Sequence, residues 1–359
     1  MNKLFARGSW AWVAVLPMWP LAGLAAPPAV APPPPANAPP AAAPQPPVAP
    51  QPTAAQAAPE PAAAAPEAGA EKPAELVLAT TDGVDIHAWH YPARVEKGSA
   101  PLAAAILLHD LDGSHRSVEP LAQALQAAGI TVVAPDLRGH GASTSRLGTA
   151  DAVDVRLLKK PDFELMAATR GGQIREQSAI RGDVESVRNW IKRQADDGDL
   201  DMNRLVVVGS GLGAAVAAAW TAEDANWPTV TKGPQGRQVR GLVLVSPSWT
   251  TRGFSINAPL GHEAVKAAVP VLLIAGRNDR DAAKVFEQLK RQRPDDWFRL
   301  RADGEQEQAK KLTDPAQASL FMVELDSPRT ADALASDGTL NAAKVITKFF
   351  GMALAQPRR

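Results

Sequence analysis

Cysteine is missing from all 359 residues of this chain. Its absence excludes disulfides, thiol nucleophiles, cysteine metal sites and attachment through a lipid-modified cysteine. An excess of charge is missing too, since 38 Lys and Arg balance 38 Asp and Glu. Nothing therefore marks a nucleic-acid surface or a polybasic membrane surface. Histidine is scarce, with six in the chain, and none follows His262. One long stretch, Ala26 to Ala74, has no aromatic and almost no branched apolar residue. A segment of that kind cannot build a core.

The organisation implied by these gaps is threefold. Residues 1–25 read as a secretory signal: Lys3 and Arg7, an apolar run from Trp10 to Leu24, and small residues at Gly23 and Ala25. Cleavage after Ala25 is expected to leave a secreted or periplasmic protein. The alternative is an uncleaved anchor, although Pro17 and Pro20 interrupt the run a spanning helix would need. Membrane contact is expected only through that segment. Residues 26–74 form an Ala/Pro linker, expected to be disordered, which at polyproline rise would reach roughly 100 to 150 Å. Residues 75–359 are long enough for one α/β domain with its own core.

Within that domain short apolar runs alternate with helical patterns. A hairpin is predicted from Glu75–Thr80 and Val84–Tyr91 around Asp82-Gly83. Strands follow at Ala103–Asp110, Thr131–Asp136, Arg204–Gly209, Val239–Pro247, Val269–Gly276 and Ser319–Asp326. Their near-continuous Val, Ile and Leu fit strands buried on both faces, so a mostly parallel central sheet flanked by helices is predicted. Residues 141–178 are expected to form a small cap or a long connection.

One turn bears on chemistry. The strand ending at Val208 runs into Gly209-Ser210-Gly211-Leu212-Gly213 and then into an Ala-rich helix. This is the strand–turn–helix setting of the G-x-S-x-G elbow, with Gly211 at the centre where the nucleophile belongs. Taking Ser210 as nucleophile would put Val208 and Leu212 at flanking positions that need small residues.

Four collinear segments resemble the α/β-hydrolase family: LLHDLDGS (Leu107–Ser114), DLRGHGAS (Asp136–Ser143), VGSGLG (Val208–Gly213) and VLLIAGRND (Val271–Asp279). The resemblance covers residues 75–355 and is closest to secreted hydrolase-like members. It implies a serine activated by a histidine, a carboxylate orienting that histidine, and backbone N–H groups holding the oxyanion. Carried onto this chain, the nucleophile is Gly211 and the acid Asp279. The histidine is implied near Ser327–Thr330, where Arg329 is the expected match, and a guanidinium is no base at neutral pH. In the oxyanion loop Asp110 follows His109, a carboxylate that opposes developing negative charge. The N–H groups of Leu111 and Leu212 are the candidates to line that pocket.

The expectation is thus a non-catalytic hydrolase-fold protein, binding a small molecule, a wall component or a protein partner, with no cofactor and no metal. Two alternatives stand beside it. An active ester or peptide-type hydrolase would use Ser210 as displaced nucleophile with Asp279 and with His262 or His109 as base. A nucleotide-binding protein would use Gly209-x-Gly211-x-x-Ala214, although the next strand ends without the acidic residue that motif requires. His87 and His90, three apart on a strand, face opposite sides and cannot share a metal.

Overall fold

The computed structural model describes residues 72–96, 98–148, 152–169, 181–227, 229–230, 233–234 and 236–357. The expected signal segment and nearly all of the Ala/Pro linker lie outside these residues. The unit Pro66–Arg359 contains everything that follows.

Ten strands form its main sheet: β1 (Ala74–Ala79), β2 (Asp85–Tyr91), β3 (Ala103–Leu108), β4 (Ile130–Pro135), β5 (Leu205–Ser210), β6 (Val239–Val245), β7 (Val271–Ala275), β8 (Trp297–Leu300), β9 (Gln306–Gln308) and β10 (Leu320–Glu324). Their spatial order is β1-β2-β4-β3-β5-β6-β7-β10-β8-β9. The block from β4 to β8 is parallel throughout, while β1, β2 and β9 pair antiparallel at the two ends. Every residue of β3, β4, β5 and β7 is buried, as continuous apolar runs require.

The period of two divides these strands between two cores. Ala104, Ile106 and Leu108 of β3 face one side, and Ala103, Ala105 and Leu107 the other. The first core is closed by α2 (Lys160–Ala167), α3 (Asp183–Asp196), α4 (Leu212–Ala225) and α6 (Arg280–Gln292). The second is closed by α1 (His115–Ala127), α7 (Ala331–Ala335) and α8 (Ala342–Ala355). A single turn, α5 (Asn257–Leu260), lies between β6 and β7 in sequence. Full burial of each Leu, Val or Phe in these layers contributes about 1.5–3 kcal/mol against the entropy of ordering the chain.

Two strands escaped the sequence pattern. β8 reads Trp-Phe-Arg-Leu with all four residues only half-buried, and β9 reads Gln-Glu-Gln. Neither carries an apolar run, because both lie toward the edge of the sheet. Part of the segment expected as a cap or connection is a short helix. In α2, Phe163 and Met166 sit fully buried in the first core. Residues 170–180 lie outside the described residues.

Parallel register aligns the carboxyl ends of the central strands. Leu108 of β3 is opposite Gly209 of β5, and Ser210 is opposite Val245 of β6. The loops carrying Asp110, Gly211 and Asp279 therefore emerge along one rim of the sheet, where α/β proteins place their sites.

Candidate functional site

The turn after β5 has the elbow's geometry. Gly211 adopts φ 53° and ψ −116°, a conformation that strains any residue with a side chain. It is pinned on both sides, its N–H donating to Val245 O at 3.0 Å and its carbonyl accepting from Ser248 N at 3.1 Å. The flanking glycines are also required. A Cβ on Gly209 would stand 2.7 Å from Ala214 N, and one on Gly213 would stand 2.7 Å from Leu108 O. Strand and helix approach too closely for any larger residue.

The space above Gly211 is filled by Asp110. Its Oδ1 accepts the Leu212 N–H at 2.6 Å. A Cβ on Gly211 would lie 2.6 Å from Asp110 Oδ2, with Oδ1 and Cγ nearer still. Burial pushes the Asp110 carboxyl above its ordinary range, against the stabilising pull of the Leu212 and Leu111 amides. Of the two N–H groups expected to line an oxyanion pocket, that of Leu212 thus serves an internal carboxylate.

Asp110 is in turn fixed from below. Its own N–H donates to Asp332 Oδ1 at 3.0 Å. Asp332 also accepts from Ser117 Oγ at 2.5 Å and from the hydroxyl of Ser210. Burial raises the Asp332 carboxyl, opposed by these hydroxyl donors. Ser210 is 2 % exposed and turned toward Asp332. The result is a closed polar cluster of Asp110, Asp332, Ser210 and Ser117 beneath the elbow.

Asp332 belongs to the segment after β10, where Arg329 had been expected to hold the histidine's place. Arg329 turns outward instead, its Nη1 donating to Asp337 Oδ2 at 2.6 Å. The residue of this segment that reaches the elbow is Asp332, swung inward behind Ala331 at φ 47°. A positive φ at an alanine leaves no mark in the sequence, so the pattern gave no sign of it. Ser117 is equally silent as an isolated serine, and Ser210, read from the sequence as a displaced nucleophile, gives no sign there of its bond to Asp332.

Asp279 occupies the turn after β7 and caps α6, its Oδ1 accepting Ala282 N–H at 3.0 Å. Its Oδ2 is buried with no hydrogen-bond partner. The structure does not bring it together with either histidine considered as a base. His262 donates its Nε2–H to Asn226 Oδ1 (3.0 Å) and takes the Ala264 N–H on Nδ1 (3.2 Å). Asn226 closes the far end of α4, whose 14 residues begin at the elbow. At 1.5 Å per residue that is about 20 Å from Ser210. A base at His262 for a nucleophile at Ser210 is thus contradicted by distance.

His109 is nearer and equally unsuited. It is fully buried, with Nδ1 2.7 Å from Asp110 O and Nε2 accepting the Leu137 N–H at 3.0 Å. Burial lowers its pKa to about 4, helped by neighbouring His140. Both ring nitrogens of the neutral imidazole are spent on backbone. Its ring stands 4.9 Å from that of His140, whose Nε2 is buried without a partner.

The nucleotide alternative needs free amides at the start of α4 for a pyrophosphate. Leu212 N–H is committed to Asp110. His87 contacts Glu75 at 2.7 Å, while the His90 ring lies 4.8 Å from that of Trp190. Among the described residues no group of three His, Cys, Asp or Glu is placed to hold a metal ion. Of the tryptophans near the elbow in sequence, Trp220 is core, donating to Glu185 Oε2 at 3.1 Å, and Trp249 lies under Lys284 Nζ at 3.6 Å.

A sheet in this order with an elbow after β5 is decided by one comparison. A family model described as the Alpha/beta hydrolase family matches residues 105–340. The chain belongs to the α/β-hydrolase family. Similar solved structures include an esterase from Pyrococcus furiosus, at 14 % identity and TM-score 0.49, covering 79 % of this chain and 92 % of that one. A dienelactone hydrolase from Anabaena variabilis is 16 % identical at TM-score 0.47, covering 78 % and 98 %. A thermostable carboxyl esterase from Bacillus coagulans is 11 % identical at TM-score 0.49, covering 79 % and 100 %. No curated protein matches the chain. At the elbow, the position where the resemblance implies the nucleophile is Gly211, with the Asp110 carboxylate seated over it.

Proposed function

We propose that this α/β-hydrolase-fold protein is non-catalytic and that its scaffold serves binding. The observation that carries the proposal is the Asp110 carboxylate seated on the Leu212 N–H above Gly211. A hydrolase needs that N–H for a developing oxyanion, and needs a nucleophile where the carboxylate now stands. Restoring a single atom would not restore the site, because the volume and the donor are both taken. The remaining hydroxyl, Ser210, is buried and bonded to Asp332, with no histidine placed to accept its proton.

The test is chemical. Purified full chain incubated with a fluorophosphonate probe and with p-nitrophenyl esters should show neither labelling nor turnover above the Ser210→Ala variant. Stoichiometric labelling at Ser210 would overturn the proposal in favour of a displaced nucleophile. We also assign the protein outside the cytoplasm, on the leader expected in residues 1–25. N-terminal sequencing of the mature protein should then begin at Ala26; an intact Met1 on protein that fractionates with the cytoplasm would refute that assignment, whereas an intact Met1 in the membrane fraction would favour the uncleaved anchor.

A further inference from the structure

A groove unconnected with the elbow chemistry runs between α1 and α8. It is a trough of about 610 Å³, half open to solvent, with a volume in the range of small-molecule sites. Its apolar lining is small: Leu121 and Ala124 from α1 with Ala128 just past its end, and Ala342 and Ala343 from α8, beside the polar Ser336, Asn341 and Thr347. Successive turns of both helices contribute, so the groove is elongated, on the order of 10 Å along the helix axes. One rim is cationic. Lys344 and Lys348 lie one turn apart on the same face of α8, both exposed and neither ion-paired among the described residues.

The other charge in the groove does not cancel them. Asp337 is held by Arg329 Nη1 at 2.6 Å and by Thr339 Oγ1 at 2.6 Å, and these interactions keep its carboxyl below the ordinary range. The start of α8 adds to the positive rim, because Asn341 sits at φ 56° and offers its first turn no side-chain cap. The groove thus pairs an elongated apolar trough with two uncompensated cations at one side. That combination fits an amphipathic anion, its chain against the alanines and its head group at the lysines.

We propose that this groove binds an acyl-chain carboxylate as a single molecule. The two lysines supply the charge that a fatty carboxylate lacks a partner for in an apolar site, and the alanine walls leave room for an unbranched chain. The inference stands apart from catalysis: labelling at Ser210 would sink the preceding proposal and leave this one intact.

The test is calorimetric titration of the full chain with dodecanoate, held below its micelle concentration. Saturable one-to-one binding is expected, tightening by up to about fourfold per methylene from hexanoate to octanoate, which fills the groove, and little from there to dodecanoate. The double variant Lys344→Glu/Lys348→Glu, whose thermal melt should match the parent's, should weaken dodecanoate at least tenfold and leave uncharged dodecanol unchanged. Ala124→Trp should block both. Absence of binding, or equal dodecanoate affinity in the charge-reversed variant, would overturn the proposal. So would a concentration-dependent dimer abolished by Ala124→Trp and indifferent to dodecanoate, which would give the groove to a second copy of the chain.

Discussion

The Asp110 carboxylate and a side chain at position 211 would occupy the same volume. Asp110 Oδ2 lies 2.6 Å from where a Gly211 Cβ would be, and Oδ1 accepts the neighbouring Leu212 N–H. Glycine at 211 is therefore required twice, by its φ of 53° and by the carboxylate over it.

Gly211→Ser should consequently destabilise the domain, by about 2–4 kcal/mol from backbone strain and overpacking together. Most of the overpacking share should vanish when Asp110→Gly is added, because the serine then gains the vacated volume. Urea unfolding of both single variants and the double gives the coupling, expected to exceed about 1 kcal/mol. An additive cycle would mean that the two residues do not compete.

Asp332 collects the Asp110 N–H and the hydroxyls of Ser117 and Ser210. Asp332→Ala strands these donors in a buried site and should cost roughly 3 kcal/mol or more. Asp332→Asn keeps an acceptor in place and should cost less than half of that, since burial already disfavours the charged carboxyl. Thermal melts of the two variants separate the cases; equal losses would show that shape, not hydrogen bonding, holds the cluster.

The central sheet was legible because buried strands must be apolar: β3 to β7 each carry an apolar run, which in β6 begins only after Arg240 and Gly241. The half-buried β8 and the polar β9 were not, since an edge strand can be built from Arg and Gln. At the site, Gly209, Gly211 and Gly213 could be read because close backbone approach admits one residue type. Asp110 was legible as an odd residue in its loop, yet its direction was not. Asp332 reaches the elbow through the φ of Ala331, a backbone choice that residue identity does not encode. His262 looked available as the last histidine in the chain, and only three-dimensional placement puts it at the far end of α4.

Arg138 ties the β1–β2 turn to α3. Its guanidinium donates to Asp183 Oδ1 through Nε (2.9 Å) and Nη2 (2.7 Å), and through Nη1 to Asp82 Oδ2 (2.9 Å). Both Arg138 and Asp183 are fully buried. Arg138→Ala leaves Asp183 charged and unpaired, so a loss of about 3–5 kcal/mol is expected. Arg138→Lys keeps the charge without the fork and should fall between the two, read by denaturant midpoint.

Glu185 makes the clearest pH prediction. Burial pushes its pKa up to about 7 from 4.5, although Arg188 and the Trp220 Nε1–H favour the charged form. The folded state therefore keeps a proton that the unfolded chain releases, and stability from this group is complete below pH 4.5 and lost as pH rises through about 7. His109 slopes the other way. Its pKa falls from 6.5 to about 4, so its contribution is complete above pH 6.5 and lost as pH drops toward 4. Over the shared window the two partly cancel in the native protein. Glu185→Gln removes one side of that balance while keeping an acceptor for Trp220. Its melting temperature relative to the parent should rise steadily from pH 5 to pH 8, by the equivalent of about 3 kcal/mol at most. A pH-independent difference between the two proteins would mean that Glu185 ionises in the fold as it does in water.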